Sequence, residues 1–268
     1  MCSENGREAQ STADSIPARI LTFHKLQPQF SFGSTNFSPR RFSRLLADLE
    51  QRGFGFHSVD SLIYGGQGDS VAITFDDGYQ HLAEHLPGLL EKYHLRPTIF
   101  VPTAFIGKPN RWDYSHLFQS TRHLDRSSIQ TMAAMGVEFG SHGHSHLALT
   151  GLSDAALESE LDTSRKILED ICGREVTRIS YPYGRTNRRV LDLAAKSGYR
   201  HGFTMNFPTP DDPPLALGRL AIYGYDTLFT IHQKIAGGRL YWLEKIKARV
   251  TNRLSYGTTL YNRVIKKR

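Results

Sequence analysis

The sequence predicts an α/β fold in which parallel strands close into a barrel. From residue 19 onward, apolar runs of strand length alternate with amphipathic segments of helical period, and this alternation favours parallel pairing with crossover helices. Polar residues able to carry chemistry follow the ends of at least three apolar runs, and they act together only if those ends converge on one mouth. A doubly wound sheet also satisfies the alternation, but the convergence favours the barrel.

The first predicted units are bounded by clear start and stop signals. Residues 20–23 form a strand, and the next helix begins after Ser38, an N-cap residue followed by proline, and ends near Gly53. A strand over 71–75 follows, then a helix over 82–93 whose continuity is limited by Pro87.

The second half of the barrel repeats this alternation. Ser153 opens a helix that stops at Gly173. The remaining predicted elements are strands over 97–101, 137–139, 201–205 and 217–222, a strand directly before Tyr181 that includes Ile179 and Ser180, and a helix over 190–195 closed near Gly198.

Two adjacent carboxylates, Asp76 and Asp77, end the strand over 71–75 and are followed by Gly78. Neighbouring carboxylates repel each other, so they persist together where a metal ion or a proton relieves the repulsion and one can ligate while the other acts as a base. The alternative is an Asp–Gly turn with two solvated acids.

Three histidines, His142, His144 and His146, fall within five positions. Two imidazoles and one carboxylate form a catalytic type of zinc site, since they leave positions open for water and substrate. A helical backbone would place His142 and His146 on one face, and an extended one would place all three on one side. Gly140 and Gly143 favour a loop, so the spacing does not choose, and surface histidines are the alternative.

A third stretch, Tyr181-Pro182-Tyr183-Gly184, again runs from strand residues into a turn. Together with the stretches at 74–78 and 141–146, it resembles the motifs of the polysaccharide deacetylase family. These are the NodB-homology enzymes of carbohydrate esterase family 4, and the closest motif style is that of the exopolysaccharide and poly-N-acetylglucosamine deacetylases. The resemblance covers residues 19–225 and implies an irregular (β/α)7–8 barrel.

The resemblance also implies a role for each matching residue. Asp76 would be the general base, Asp77, His142 and His146 the metal ligands, and the backbone N–H of Tyr183 an oxyanion donor. The implied reaction is metal-dependent removal of N-acetyl groups from an amino-sugar glycan or glycolipid. The implied ion is zinc, with cobalt, nickel or iron as alternatives.

Two departures from the family pattern affect the base and the acid. Ser180 stands where many members carry an arginine that orients the base, and Arg219 and Arg185 are candidates for that role. The late histidine of the family, its presumed general acid, has no clear counterpart, because Tyr223 follows the last predicted strand. His24, after the first strand, is the candidate acid, with a packed histidine at a strand end as the alternative.

The expected substrate contacts are Trp112, Pro182 and Arg219. Trp112 and Tyr114 lie in an insertion over 105–125 that is longer than a minimal connection. Sugar rings present apolar faces to aromatic side chains, so this insertion is a candidate binding wall. Packing of the insertion onto the barrel is the alternative.

Composition predicts a globular protein with 39% hydrophobic and 22% charged residues. Residues 1–17 are expected to be a disordered lead without signal-peptide character, 18–232 the catalytic domain, and 233–268 a basic helical extension. Two cysteines, Cys2 and Cys172, are too few for a disulfide framework, and no apolar run reaches the length of a spanning helix. We therefore expect a cytoplasmic location.

The positive charge is concentrated at the C-terminal end. Residues 234–268 carry ten basic side chains against Glu244, a local net charge of +9, which leaves −2 for the rest of a chain whose total is +7. The apolar residues Trp242, Leu243 and Ile246 beside these charges predict either an arm that rests on the anionic inner membrane or a solvated helix that caps the barrel. Nucleic acid is not an expected partner, since no recognised binding motif accompanies the charge.

Two other functions fit the same residues. One is a different C–N hydrolase on this scaffold, acting on a cyclic or other small amide. The other is a carbohydrate-binding homologue without catalysis, which the departures at Ser180 and Tyr223 allow.

Overall fold

Eight parallel strands form one sheet in the computed structural model, which describes residues 19–28, 34–65, 68–110, 121–237 and 242–247. The strand order is β7-β6-β5-β4-β3-β1-β8, and β2 pairs with the start of β3 outside this path. The strands are β1 (Ile20–Phe23), β2 (Gly55–His57), β3 (Ser70–Phe75), β4 (Thr98–Val101), β5 (Glu138–Ser141), β6 (Arg178–Ser180), β7 (His201–Phe203) and β8 (Leu220–Ala221).

Helices connect these strands in the order expected for a (β/α) barrel. They are α1 (Pro39–Gln51), α2 (Val59–Gly65), α3 (His81–His85), α4 (Pro87–Tyr93), α5 (Arg126–Ala134), α6 (Asp154–Cys172), α7 (Arg188–Lys196) and α8 (Leu228–Ala236). Residues 242–247 are also helical. In the part of the chain described here, no helix combines the length and hydropathy that a membrane span requires.

The sheet curls until one segment contacts both of its ends. Leu217 forms a parallel bridge with Phe203 of β7, and three residues later β8 pairs with β1. The backbone N–H of Leu217 donates to Gly202, and that of Thr204 donates to Leu217. This closure gives the irregular barrel, so the predicted α/β barrel is confirmed.

The helices begin and end where local chemistry requires. The hydroxyl of Ser38 accepts from the N–H of Arg41 at the start of α1, and Ser153 caps α6 in the same way. Helix α6 ends at Gly173, whose left-handed φ of 65° suits glycine. The predicted helix over 82–93 is divided into α3 and α4 at Pro87, because proline lacks the N–H that would continue the helix.

Alternate residues of the central strands face opposite sides of the sheet. Leu21 and Phe23 of β1 belong to the larger core cluster, which also contains the apolar faces of the helices. Ile20 belongs to a smaller cluster with Phe100 and Phe203. The face of the sheet that carries this smaller cluster lines the barrel interior. It also carries the polar residues that lie next to the site.

The predicted division between 232 and 233 falls inside α8. Ile231 and Ile235, on either side of it, are both buried in the larger core cluster, so α8 packs as one helix against the barrel. The predicted lead over 1–17 and residues 248–268 of the basic extension lie outside the described residues.

Candidate metal centre

The carboxyl ends of four strands bring the predicted site residues together. Asp76 and Asp77 directly follow β3, and His142 directly follows β5. Tyr181 follows β6, and His24 follows β1. Since all these strands are parallel, their carboxyl ends lie on the same edge of the sheet.

Asp77, His142 and His146 offer three ligand atoms that all lie within 4.8 Å of one another. Oδ1 of Asp77 is 3.5 Å from Nε2 of His142 and 3.3 Å from Nε2 of His146. This carboxylate oxygen is buried and has no hydrogen-bond partner among the described residues. A buried oxygen of this kind is costly unless something binds it, and two imidazoles plus a carboxylate are the donor set of a catalytic zinc-type site. The three residues therefore fit a divalent metal ion.

His142 is fixed in the tautomer that a metal ligand needs. Its Nδ1 is 2.6 Å from the carbonyl oxygen of Ser180. A carbonyl only accepts, so Nδ1 carries the proton and Nε2 presents its lone pair toward Asp77. Burial lowers the pKa of His142 to about 4, against the attraction of Asp76, so the ring is neutral near pH 7.

His146 reaches the same point through a loop, neither helical nor extended. Residues 142–148 lack regular structure, and both Gly143 and His146 have left-handed backbones, with φ of 72° and 53°. The ring centroid of His146 lies 4.9 Å from that of His142 and 4.9 Å from that of Tyr183. His144 points elsewhere, and its Nδ1 hydrogen-bonds to Oγ1 of Thr103 at 2.9 Å.

Asp77 also has a left-handed backbone, with φ of 67°. Nδ1 of the buried His123 donates to the carbonyl oxygen of Asp77 at 2.7 Å and holds this turn. Burial lowers the pKa of His123 to about 4. The motif spacing did not identify His123, and its only signal in the sequence is its place in the long insertion over 105–125.

Asp76 is gripped by a buried arginine. Nη1 and Nη2 of Arg219 donate to the two carboxylate oxygens of Asp76 at 2.8 and 2.7 Å, and the hydroxyl of Ser180 donates to Oδ2 at 3.1 Å. Burial alone would raise the pKa of Asp76, but the charge and hydrogen bonds of Arg219, together with the nearby His142 and His24, outweigh burial and lower the pKa to about 2. The side chain is therefore ionised near pH 7.

This position corrects one assignment made from the sequence. The sequence predicts Arg219 as a substrate contact, but the residue is only 1% exposed. Its remaining N–H groups donate to Thr74, Ser180 and the carbonyl oxygen of Thr204, so no donor is left for a substrate. The structure instead favours the other interpretation, in which Arg219 orients Asp76.

The other predicted residues lie around this centre. His24 is half-buried, and its charge lowers the pKa of both Asp76 and Asp77. Burial favours the neutral form of Asp77, yet contact with His146, supported by His24, keeps its pKa far below the usual range.

The turn after β6 completes the edge of the site. Tyr183 has a left-handed backbone with φ of 62°, and Pro182 beside it is buried. The guanidinium of Arg185 lies 5.9 Å from the centre of the Tyr183 ring. Trp112, the predicted aromatic wall, lies outside the described residues.

Other solved structures share this fold. The Streptococcus pyogenes deacetylase PplD, solved in complex with acetate, superposes with a TM-score of 0.71 at 21% identity, covering 82% of this chain and 98% of that one. IcaB from Ammonifex degensii superposes with a TM-score of 0.69 at 20% identity, covering 82% and 96%.

Curated proteins match over a shorter region. YxkH of Bacillus subtilis (strain 168), a provisionally named polysaccharide deacetylase, is 36% identical over 134 residues, which are 50% of this chain and 44% of that protein. The poly-beta-1,6-N-acetyl-D-glucosamine N-deacetylase of Staphylococcus aureus (strain MRSA252) is 28% identical over 145 residues, 51% of this chain and 48% of that protein. The chain thus spans about half the length of the curated relatives it matches.

The sequence profile of the polysaccharide deacetylases matches residues 64–202. This region is more than half of the chain and contains Asp76, Asp77, His142, His146 and Tyr183. The motifs, the barrel and the profile agree, and the chain belongs to the polysaccharide deacetylase family.

Proposed function

We propose that this chain is a metal-dependent hydrolase that removes N-acetyl groups from an amino-sugar glycan or glycolipid. The observation that carries the proposal is the buried group of Asp77, His142 and His146 beside an ionised Asp76 at the carboxyl edge of the barrel. The named activity of the Staphylococcus aureus relative, deacetylation of poly-beta-1,6-N-acetyl-D-glucosamine, supports the substrate class.

Asp77, His142 and His146 would hold the ion. A divalent ion held there supplies a Lewis acid that polarises the acetyl carbonyl and makes hydroxide available near neutral pH. Zinc suits this set of nitrogen and carboxylate donors, with cobalt, nickel and iron as alternatives.

Side chains close to this centre would carry out the proton transfers. Asp76, ionised and oriented by Arg219, takes a proton from the attacking water on a carboxylate oxygen. The backbone N–H of Tyr183, on its left-handed turn, donates to the developing oxyanion. His24 protonates the leaving amine, and a water molecule is the alternative donor. Retention of full activity by His24→Gln would favour the water.

The test separates metal binding from turnover in two variants. Asp77→Ala should lose both bound metal, measured by elemental analysis, and acetate release from N-acetylglucosamine oligomers. Asp76→Asn should keep the metal and lose about 100- to 10,000-fold in kcat, the usual contribution of a general base. Full activity of Asp76→Asn would show that Asp76 is not the general base. If the wild type binds metal but releases no acetate, the alternative of a carbohydrate-binding protein without catalysis is favoured.

Assays with other amides test the alternative that this chain is a different C–N hydrolase. Cyclic and small linear amides should be poor substrates compared with N-acetylated oligosaccharides. A preference for the small amides would assign the chain to another C–N hydrolysis on the same scaffold.

We propose, further, that the C-terminal region makes peripheral contact with an anionic membrane surface. Glu244 is buried and pairs with Lys247, while Trp242 and Ile246 of the same helix are 58% and 47% exposed. Exposed aromatic and aliphatic side chains beside basic ones match the lipid headgroup region. Sedimentation with vesicles containing phosphatidylglycerol, but not with pure phosphatidylcholine vesicles, is expected, and binding to neither would contradict it. Cell fractionation tests the predicted cytoplasmic or inner-membrane location.

A further inference from the structure

The loop between His142 and His146 is held by a carboxylate from a helix that is distant in the sequence. Glu160 of α6 is buried, and its Oε2 accepts from the backbone N–H groups of His144 at 2.9 Å and Ser145 at 2.8 Å. A charged acceptor shared by two consecutive N–H groups makes strong hydrogen bonds, and it restricts the local backbone to one shape.

The carbonyl groups of the same loop are held from the opposite side. The N–H of Thr103 donates to the carbonyl oxygen of Gly143 at 3.3 Å, and the N–H of Ala104 donates to that of His144 at 2.9 Å. The Thr103 hydroxyl also hydrogen-bonds to the ring of His144. His144, the clustered histidine that is not a candidate ligand, thus helps to hold the loop in place. Glu160 holds the N–H groups of the same loop.

The loop and the carboxylate are closely fitted. At Gly143, a Cβ atom would lie 3.4 Å from Oε2 of Glu160 and 3.7 Å from Cγ of Pro182, and the φ of 72° favours glycine in any case. The chain therefore passes directly over Glu160 before it turns back to His146.

The two histidines depend on this loop to different degrees. His142 is held by its own contacts, since its N–H donates to Val101 and its ring to Ser180. His146 lies beyond the residues that Glu160 holds and has a left-handed backbone. The ring of His146 also contacts His142 and Tyr183, but its backbone directly follows the residues that Glu160 holds, so a change in the loop should move His146 more than His142.

We propose that Glu160 is a positioning residue for the metal centre. Its carboxylate fixes residues 143–145 so that Nε2 of His146 meets Nε2 of His142 at Asp77. This role rests on the proposed function, because it supposes that these three residues bind an ion. Glu160 acts through the backbone of the loop and is not itself among the candidate metal ligands.

Zinc titration of the purified full chain by calorimetry tests this role. Glu160→Ala should bind zinc about 10- to 100-fold more weakly than the wild type, the usual effect of losing a group that orients a ligand. Glu160→Gln keeps an acceptor oxygen and should lose less. Glu158→Ala is the matched control, since Glu158 lies two residues earlier on α6 and pairs with Lys196 at the surface, and it should bind as the wild type does.

Cobalt spectra distinguish a displaced ligand from a general loss of stability. The visible absorption of the cobalt-loaded Glu160→Ala protein should differ from that of the wild type, because one imidazole is displaced, while the melting temperature of the metal-free protein shows that the variant is folded. Folded Glu160→Ala with wild-type zinc affinity and cobalt spectrum would overturn the proposal.

A shorter side chain covers the case in which the alanine variant does not fold. Glu160→Asp lacks one methylene and should not reach both N–H groups, so we expect weaker zinc binding, and wild-type affinity would overturn the role of Glu160. If the wild type itself binds none of zinc, cobalt, nickel and iron, the metal centre of the proposed function is wrong. The two failures are therefore distinguishable.

Discussion

Asp76 and Asp77 are adjacent in the chain, yet their side chains meet different partners because the backbone turns between them. The left-handed φ of 67° at Asp77 directs its carboxylate to His142 and His146. Asp76 faces the barrel interior and Arg219. This division relieves the repulsion between the two charges and gives each aspartate a single environment.

Replacement of Arg219 should be costly for stability as well as for turnover. Arg219→Met leaves the buried Asp76 without its counter-charge, so we expect the free energy of unfolding to fall by about 3 to 5 kcal/mol at neutral pH. The pKa of Asp76 should rise, because the substitution removes the strongest of the influences that oppose burial. Urea unfolding measures the first effect, and the pH dependence of kcat measures the second.

The control for this change is an arginine in a surface ion pair. Arg188→Met removes a pair with Asp192 on α7, where the arginine side chain is 88% exposed, and it should change the free energy of unfolding by less than about 0.5 kcal/mol. Similar effects of the two substitutions would contradict the buried role of Arg219.

At the scale of elements, caps and apolar stripes predicted most of the helices. The N-caps Ser38 and Ser153, the break at Pro87 and the stop at Gly173 all lie where the sequence predicts them. Each of these signals acts within a few residues of the chain, so it can be recognised without the fold.

Contacts across the barrel could not be predicted in the same way. The sequence offers both Arg219 and Arg185 as residues that could orient Asp76, and the barrel decides between them, since only β1 separates β3 from β8 in the sheet and Arg219 thereby reaches Asp76. The contact of Glu160 with the histidine loop has the same origin. Motif spacing identified the candidate ligands, but not the groups that hold them.

The turn over Pro182–Gly184 allows a test at this scale. Gly184 and Gly173 both have φ of 65°, but a Cβ at Gly184 would lie 2.7 Å from the backbone N of Met205, whereas one at Gly173 would meet nothing within 4 Å. Alanine at either position should cost roughly 1 to 2 kcal/mol for the left-handed backbone. Gly184→Ala should lose roughly 1 to 3 kcal/mol more from the clash.

Urea unfolding of the two glycine variants gives the comparison directly, since the backbone cost is common to both. Gly184→Ala should also lose acetate release, because the clash displaces the backbone of Tyr183. Equal free energies of unfolding for the two variants would show that the close approach to Met205 does not constrain the turn.

For the whole molecule, the parallel sheet explains why sequence motifs far apart identify one site. Alternation of strands and helices predicts that strand ends share an edge, and the closure through residues 217–221 brings that edge around a single mouth. The bulk of the fold therefore follows from periodicity. The left-handed backbones at Asp77, His146 and Tyr183 do not, because non-glycine residues rarely adopt them without tertiary contacts.

Burial of histidines should make the metal-free protein sensitive to mild acid. Burial lowers the pKa of both His142 and His123 to about 4, whereas an unfolded histidine titrates near 6.5. Between these values the unfolded chain binds protons that the folded chain does not, so stability falls as the pH falls. From about pH 7 to about pH 5 we expect a loss of about 2 kcal/mol for each of the two residues. Asp76 remains ionised throughout this range, since its pKa is lowered to about 2, and does not contribute. Urea unfolding with a chelator present measures the difference in the free energy of unfolding between the two pH values. His123→Asn should reduce this difference by about half, the contribution of His123. Equal stability at the two pH values would contradict the burial of neutral imidazoles near the metal centre.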